Sequence, residues 1–335
     1  MEIRKKVIVT GAAGFVGGRT VRFMANLLTE NDIISTSRRN SRKNELENFG
    51  SAFKCGDLTD KTFCEDLTLG AETIFHCAAL SSPWGSYDQF YESNFLATKT
   101  LLDASIKNGA KKFIYLSTPS IYFNHSDRYN VKESDPLPEK MVNHYAATKL
   151  LAEQYVLSRN GEQIFTIALR PRAIIGAEDT VILPRVIEAY ELGRLKIVGN
   201  GENVCDMTNV RNVIEAMVCA LRAEESAYGH AYNITNGEPT KIWEALNYLL
   251  TELGKEPTTK KISQRVAEIA ASFMEWKARV FHPEKEPALT RYGIGVMAQN
   301  FTLDISKAKT KLNYSPVQTT KEGIDEYIKW HKETK

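Results

Sequence analysis

Val7-Ile8-Val9-Thr10-Gly11-Ala12-Ala13-Gly14-Phe15-Val16-Gly17 is the stretch whose reading decides the fold. An apolar run enters a glycine turn, and a third glycine opens an amphipathic segment from Arg19 to Leu28. This is the pattern of a buried strand delivering its end into a helix N-terminus. The unpaired amides and the positive end of the helix dipole make such a terminus an anion site. Gly11 and Gly14 allow the backbone to turn and approach a pyrophosphate, and Gly17 allows the helix to pack close to the strand. Gly11, Ala13, Gly14, Phe15, Val16 and Gly17 are therefore the expected dinucleotide contacts. The Gly-x-x-Gly-x-x-Gly spacing is one residue looser than the usual fingerprint, but its strand–turn–helix context is the one that motif requires.

Outward from this stretch, strand-like and helix-like runs alternate, the pattern of a parallel doubly wound α/β sheet. Strands are expected at Ile33–Ser37, Ala52–Cys55, Thr73–Cys77, Lys112–Ser117 and Ile164–Arg170, with helices over about Tyr87–Asn108 and Asn143–Arg159. After Pro171 the character changes, with helices over Val181–Leu192, Asn212–Glu224, Ile242–Leu253, Ile262–Phe281 and Lys321–His331. A Rossmann-type domain is expected over residues 1–170, with a stretch near 205–235 returning to it. A mainly substrate-binding domain is expected over 171–335, and the cleft between the two is the default ligand site.

Bulk composition narrows the class. The chain of 335 residues is 43% hydrophobic and 25% charged, ordinary for a globular enzyme. A net charge of +2 gives no reason to expect a nucleic acid partner. Cys55, Cys64, Cys77, Cys205 and Cys219 are odd in number and contain no Cys-x-x-Cys pair. That argues for a reducing compartment and against a disulfide framework or a metal site. Met1 to Lys6 run straight into the first strand, leaving no room for a signal peptide. No apolar run approaches the roughly 18 residues of a spanning helix. A cytoplasmic protein without a transmembrane segment is expected.

The end of the second strand selects the cofactor. It reads Ser37-Arg38-Arg39-Asn40, with no carboxylate for ribose hydroxyls and two guanidinium groups suited to a 2′-phosphate. NADP(H) is favoured, and NAD(H) remains possible. Asp57, with Leu58 after it, either accepts from the adenine amino group or caps the next helix.

Tyr145 and Lys149 carry the chemistry. They lie four apart, on one face of a helix, in the only Tyr-x-x-x-Lys of the chain. A phenol near pKa 10 needs about 4 kcal/mol of preferential phenolate stabilisation to titrate near neutrality. An ammonium ~4 Å away at an effective dielectric of ~20 supplies about that much. Tyr145 is thus the expected proton donor and acceptor, with Lys149 lowering its pKa. Thr118, or Ser117 or Ser120 in its place, ends a strand at the carboxyl edge of the sheet, where a hydroxyl can hold a substrate oxygen.

With Thr-Gly-Ala-Ala-Gly-Phe-Val-Gly, the Ser-Thr strand end and Tyr-Ala-Ala-Thr-Lys in order, the chain resembles the extended short-chain dehydrogenases/reductases over essentially its whole length. The resemblance implies that His76-Cys77-Ala78-Ala79 lies beside the cofactor, with Ala78 and Ala79 as contacts. It implies that Asn94 supports the lysine through water and that Leu169-Arg170-Pro171 is a loop over the nicotinamide. Ser117 and Pro171 are further implied cofactor contacts. It also implies a homodimer through the helices holding Asn94 and Tyr145.

Two branches of that family compete. Nucleotide-sugar epimerases and dehydratases carry an arginine before an aspartate, where this chain has Cys205 before Asp206, and an asparagine shortly after Arg-Pro, which is missing from Arg170-Pro171-Arg172-Ala173-Ile174-Ile175-Gly176. Ser117-Thr118-Pro119-Ser120, Leu183-Pro184-Arg185 and Val198-Gly199-Asn200-Gly201 instead resemble the 3β-hydroxysteroid dehydrogenase-like branch, which includes reductases of long-chain 2-alkyl-3-keto acids. That branch implies hydride transfer to or from a secondary alcohol or ketone of an apolar small molecule. Arg172 and Arg185 are candidate partners for an acidic head group, or else surface partners of Glu178 and Glu188. The segment from Val266 to Met297 reads as a lid over a lipid-like substrate, a contact with a membrane surface, or an ordinary helix burying one face. The alternatives to a reductase are an epimerase with tightly held NAD, or a catalytically silent cofactor-binding regulator.

Overall fold

Alternating side chains of one strand feed two separate cores. In the computed structural model, which describes residues 6–28, 32–161 and 163–334, Val7 and Val9 face one apolar cluster and Ile8 faces another. Such two-sided burial is what a near-continuous apolar run specifies in a parallel sheet. The expectation that Met1 to Lys5 leave no room for a signal peptide falls outside the described residues.

Seven parallel strands make the main sheet: β1 (Lys6–Thr10), β2 (Ile33–Ser37), β3 (Ala52–Cys55), β4 (Ala71–His76), β5 (Lys112–Leu116), β6 (Phe165–Pro171) and β7 (His230–Ile234). Their order is β7-β6-β5-β4-β1-β2-β3. The chain runs outward from β1 to β3, then crosses back to place β4 on the other side of β1, with Thr10 paired to His76. The switch point between β1 and β4 is where such sheets open a crevice for a dinucleotide.

Helices α1 (Phe15–Ala25), α2 (Ala97–Lys107), α3 (His144–Ser158) and α4 (Val210–Arg222) cover the two faces. Helix α1 begins at Phe15, four residues before the expected amphipathic segment, so its first amides sit directly on the glycine turn. The expected single helix from Tyr87 to Asn108 contains a π-helical stretch, Tyr91–Leu96, whose wide turn leaves Asn94 buried. Pro171 is not in a loop: it is buried at the end of β6 and paired with Ile234.

A second lobe builds its own core from Leu183, Ile187, Trp243, Leu246, Ile294 and Tyr327. Its four-stranded sheet has the order Thr240–Lys241, Val204–Cys205, Phe301–Leu303, Arg128–Val131. The two halves of the sequence interleave, since β7 joins the main sheet while Arg128–Val131 joins the second. Helices α5 (Gln264–Phe281) and α6 (Arg291–Ala298) pack together over this lobe.

Candidate active site

The glycine turn is built by close approach. Gly11 has φ +65°, and a Cβ there would lie 2.8 Å from the backbone of Ala78. A Cβ on Gly17 would come 2.7 Å from the Gly11 carbonyl carbon. Gly14, at φ −90°, is the N-cap of α1 and donates its amide to the Gly11 carbonyl at 2.9 Å. The amides of Phe15 and Val16 open the helix and have no intrahelical acceptor. Ala13 is half-buried beside them, and the Phe15 side chain packs on Val210 and Ile214. This cradle of bare backbone and open amides fits a pyrophosphate.

At the rim, Ser37 closes a turn by donating to the Arg39 carbonyl at 2.5 Å and accepting from the Arg39 amide. That leaves the Arg38 and Arg39 side chains exposed. Arg42 was not singled out from the sequence, yet its guanidinium lies against Gly18, where a Cβ would come 2.6 Å from its Nη1. It is held by Glu45 and, at 2.5 Å, by Glu178, and the Glu45 hydrogen bond leads in raising its pKa further. Arg19 adds to the same cluster through Glu326 at 2.5 Å. Asp57 turns its Oδ1 onto the amide and hydroxyl of Thr59, while Asp60 caps the helix Lys61–Leu67. The Leu58 side chain is buried in the core with Cys64 and Leu67.

A single file of hydrogen bonds runs across the switch point. The Ala78 amide donates to Thr10 Oγ1 (3.1 Å), which meets His76 Nδ1 at 2.7 Å. His76 Nε2 meets Thr98 Oγ1 at 2.8 Å, and that hydroxyl donates to the Asn94 carbonyl at 2.6 Å. Each hydroxyl has one proton, so His76 must accept at Nδ1 and donate from Nε2. Burial, reinforced by the Lys149 charge, pushes the imidazole down to about 3 and keeps it neutral. The Asn94 side chain braces the next loop, accepting from the Leu80 amide (2.7 Å) and donating to the Leu80 carbonyl and to Thr148 Oγ1. Its direct partners are thus Thr98, Leu80 and Thr148, which makes Asn94 a brace of the loop after Ala79. Ala79 itself is exposed at the start of that loop.

Helix α3 starts at the Asn143 cap and carries Tyr145, Lys149 and Glu153 on successive turns of one face. Burial pushes the Tyr145 phenol up, and the nearby hydroxyls of Thr118 and Ser81 work against that push by favouring its phenolate. Thr118 donates to Ser120 at 3.1 Å, and Ser120 lies 2.9 Å from the hydroxyl of Tyr292 on α6. Tyr145 and Thr118 therefore lie together at the head of a hydroxyl chain whose far end is Tyr292, a residue quoted in the sequence only as part of a motif.

Lys149 behaves differently from the expectation. It is 2% exposed, donates to the Leu116 carbonyl at 2.5 Å and sits 4.0 Å above the Tyr115 ring. Burial pulls it down to about 7, against the pull of Glu153, and burial pushes Tyr145 up to about 12. In this state the lysine does not depress the phenol. Ser117 is likewise committed elsewhere, donating to Glu153 at 2.6 Å. Glu153 pairs with Arg170, which also bonds the Tyr122 hydroxyl, and Tyr122 donates to Asn233 at 3.0 Å. Glu153, invisible as a functional position in the sequence, ties β5, β6 and β7 to the catalytic helix.

Arg172 is buried with its guanidinium 4.9 Å from the Phe301 ring centroid, and Arg185 pairs with Glu286 at 3.0 Å. Neither takes the Glu178 or Glu188 partner expected for it. Among the described residues no group of acidic, histidine or cysteine side chains is arranged to hold a metal ion.

Comparison with known proteins assigns the class. The chain is 35% identical to the 3beta-hydroxysteroid-dehydrogenase/decarboxylase isoform 1 of Arabidopsis thaliana, over 98% of this chain and 80% of that protein. It is 32% identical to the 2-alkyl-3-oxoalkanoate reductase of Stenotrophomonas maltophilia, over 95% of this chain and 97% of that protein. A solved structure of MoeE5 in complex with UDP-glucose and NAD matches with a TM-score of 0.75 at 26% identity, over 98% of this chain and 99% of that one. The protein is a nicotinamide-dependent dehydrogenase/reductase of the extended short-chain type. It belongs to the 3-beta hydroxysteroid dehydrogenase/isomerase family, which matches residues 8–263.

Proposed function

We propose that this enzyme is an NADP(H)-preferring reductase or dehydrogenase of a secondary alcohol or ketone on an apolar substrate, sterol-like or a 2-alkyl-3-keto acid. The observation that carries this is the meeting of Tyr145 and Thr118 at the carboxyl end of β5, beside the switch point and one helical turn from Lys149. The substrate classes follow from the relatives that share most of the chain. When bound, the nicotinamide supplies or takes up hydride at the substrate carbon. Gly11, Ala13, Gly14, Phe15, Val16 and Gly17 would hold the pyrophosphate. Arg38 and Arg39, whose side chains are exposed, would meet a 2′-phosphate. Asp57, Ala78, Ala79 and the backbone at Leu58 would line the adenosine and nicotinamide sides.

Tyr145 gives a proton to, or takes one from, the substrate oxygen that Thr118 holds. Lys149 in its charged form favours the phenolate. Ser117, Pro171 and Asn94 shape the site without touching the reacting atoms. Cys205 supports this reading over a sugar-nucleotide epimerase. It is 1% exposed, and burial pushes its thiol up to about 11, so the side chain at this position offers a diphosphate no cation.

The reading includes a cytoplasmic homodimer paired through the helices holding Asn94 and Tyr145, on which Leu96 (36%) and Leu151 (37%) are exposed. Light scattering on the purified protein checks the dimer.

The test compares thermal stabilisation by NADPH, NADH and UDP-glucose, then follows oxidation of the reduced cofactor with a 2-alkyl-3-keto acid and a 3-ketosteroid. A ligand at 100 times its dissociation constant stabilises by about 2.7 kcal/mol. Stabilisation by NADPH with turnover on either ketone is the expected result. Joint stabilisation by NADH and UDP-glucose would make it an epimerase, and cofactor binding without any turnover would make it a silent regulator.

A further inference from the structure

Helix α5 is turned inside out. Its buried residues are Ala267, Ala271 and Ala278, all small. Its large side chains point away from the protein: Val266 is 56% exposed, Ile269 70%, Phe273 61%, Trp276 56% and Val280 55%. A surface helix ordinarily buries its bulky residues and exposes polar ones. The reading of this segment as an ordinary helix burying its apolar face is therefore wrong for this chain.

The spacing of the five exposed residues is 3, 4, 3 and 4, which at about 100° per residue confines them to an arc of about 80°. Charges are sorted around that arc. Arg265 and Lys277 border it on either side, whereas Glu268 and Glu275 fall on the side turned toward the alanines. Phe281 (60% exposed) extends the stripe at the helix end, its ring edge-on to Trp276. Just beyond, the Pro283 carbonyl accepts from Trp84 Nε1 at 2.9 Å, and Arg279 lies over the Trp84 ring. Trp84 belongs to the loop that carries Ser81 to Tyr145. The stripe thus ends against the loop that holds Ser81 and Trp84.

We infer that α5 is an in-plane lipid-binding helix that seats the enzyme on an anionic membrane surface. An apolar face with aromatic side chains, bordered by basic residues and depleted of acids, is the chemistry such a surface takes. A second copy of the chain would set Arg265 and Lys277 against their own counterparts, whereas anionic head groups neutralise them. Among the described residues no helix is long and apolar enough to cross a membrane, so the contact is peripheral. Lipid binding at this face stands apart from the reaction proposed above, and its location suits a substrate that arrives from the bilayer.

The test is co-sedimentation of the full chain with vesicles of phosphatidylcholine alone and of phosphatidylcholine mixed with phosphatidylglycerol. The wild type should pellet with the anionic vesicles and release with salt. The double variant Phe273→Ser/Trp276→Ser should bind at least about tenfold more weakly. Arg265→Gln/Lys277→Gln should lose the preference for anionic lipid. Both pairs are exposed, so melting temperature and NADPH-induced stabilisation should be unchanged, which separates this result from failure of the enzymatic assignment. Absence of pelleting by a folded wild type overturns the inference, as does pelleting unaffected by the Phe273/Trp276 change. So does an oligomer that this change dissociates without any vesicle binding.

Discussion

Lys149 donates a hydrogen bond to the carbonyl of Leu116, 2.5 Å away, at the strand end and four residues along the same helix face from Tyr145. The lysine is parked on the strand end that also leads into Thr118. Its burial costs more than the nearby Glu153 carboxylate returns, so it is half-charged near pH 7.

That position has a pH signature in the cofactor-free protein. Lys149 titrates near 7 when folded and near 10.5 when unfolded. Between those values the unfolded chain holds more protons, so stability rises with pH across that window. Urea unfolding at intervals from pH 7 to 10 should show this rise in the wild type, worth up to a few kcal/mol. Lys149→Met should flatten it, and parallel curves for the two proteins would refute the assignment.

Tyr145→Phe should abolish turnover, with cofactor affinity kept within about threefold, because the phenol acts on substrate and the pyrophosphate is held elsewhere. Steady-state rates together with a cofactor titration decide this. Full activity in the variant would sink the catalytic role.

Tyr292→Phe keeps the ring edge-on to Phe123 and removes only the hydroxyl that meets Ser120. Losing one hydrogen bond of the chain should lower kcat about three- to tenfold with KM little changed. The like charge of Tyr292 raises the Tyr145 pKa, so the basic limb of the kcat profile should move to lower pH. A purely structural Tyr292 would leave that limb in place.

Gly17→Ala puts a methyl against the Gly11 carbonyl, backbone on backbone, with nothing flexible to yield. A loss of about 1–3 kcal/mol in stability and at least tenfold in cofactor affinity is expected. Gly14→Ala, at an ordinary φ and with its nearest neighbour 3.2 Å away, should cost less in stability. Melting curves with and without NADPH compare the two.

Glu153→Gln leaves the Arg170 guanidinium buried without its carboxylate, which should cost about 3–5 kcal/mol. Adding Arg170→Met should restore part of that loss in urea unfolding. A single variant as stable as wild type would mean that the pair does not hold the strand ends together.

The glycine turn and the Tyr145/Lys149 pair were legible because each rests on local rules, a backbone approach and a helical period. Strand β2 fell where its apolar run placed it, from Ile33 to Ser37. What escaped was set by distant partners. Arg42 looks like any loop arginine until Glu178, from the other half of the chain, is folded against it. Ser117 and Thr118 are neighbours in sequence, yet Glu153 claims one and Tyr145 meets the other. The strand Arg128–Val131 has no clear period and forms because Phe301–Leu303 comes to lie beside it. Asn94 was placed correctly in a helix, but the π-turn that aims it at Leu80 has no local signature.

The pairing of Phe301 with Arg128 joins positions about 170 residues apart. At a synthesis rate of roughly 5–20 residues per second, the earlier strand waits some 10–35 s for its partner to be made. Residue 230, which starts the seventh strand, is also late. A fragment cut near residue 170 would therefore lack an edge of the main sheet while displaying an unpaired strand of the second. Such a fragment is expected to aggregate, and the nascent chain has reason to engage chaperones until its last thirty or so residues have emerged.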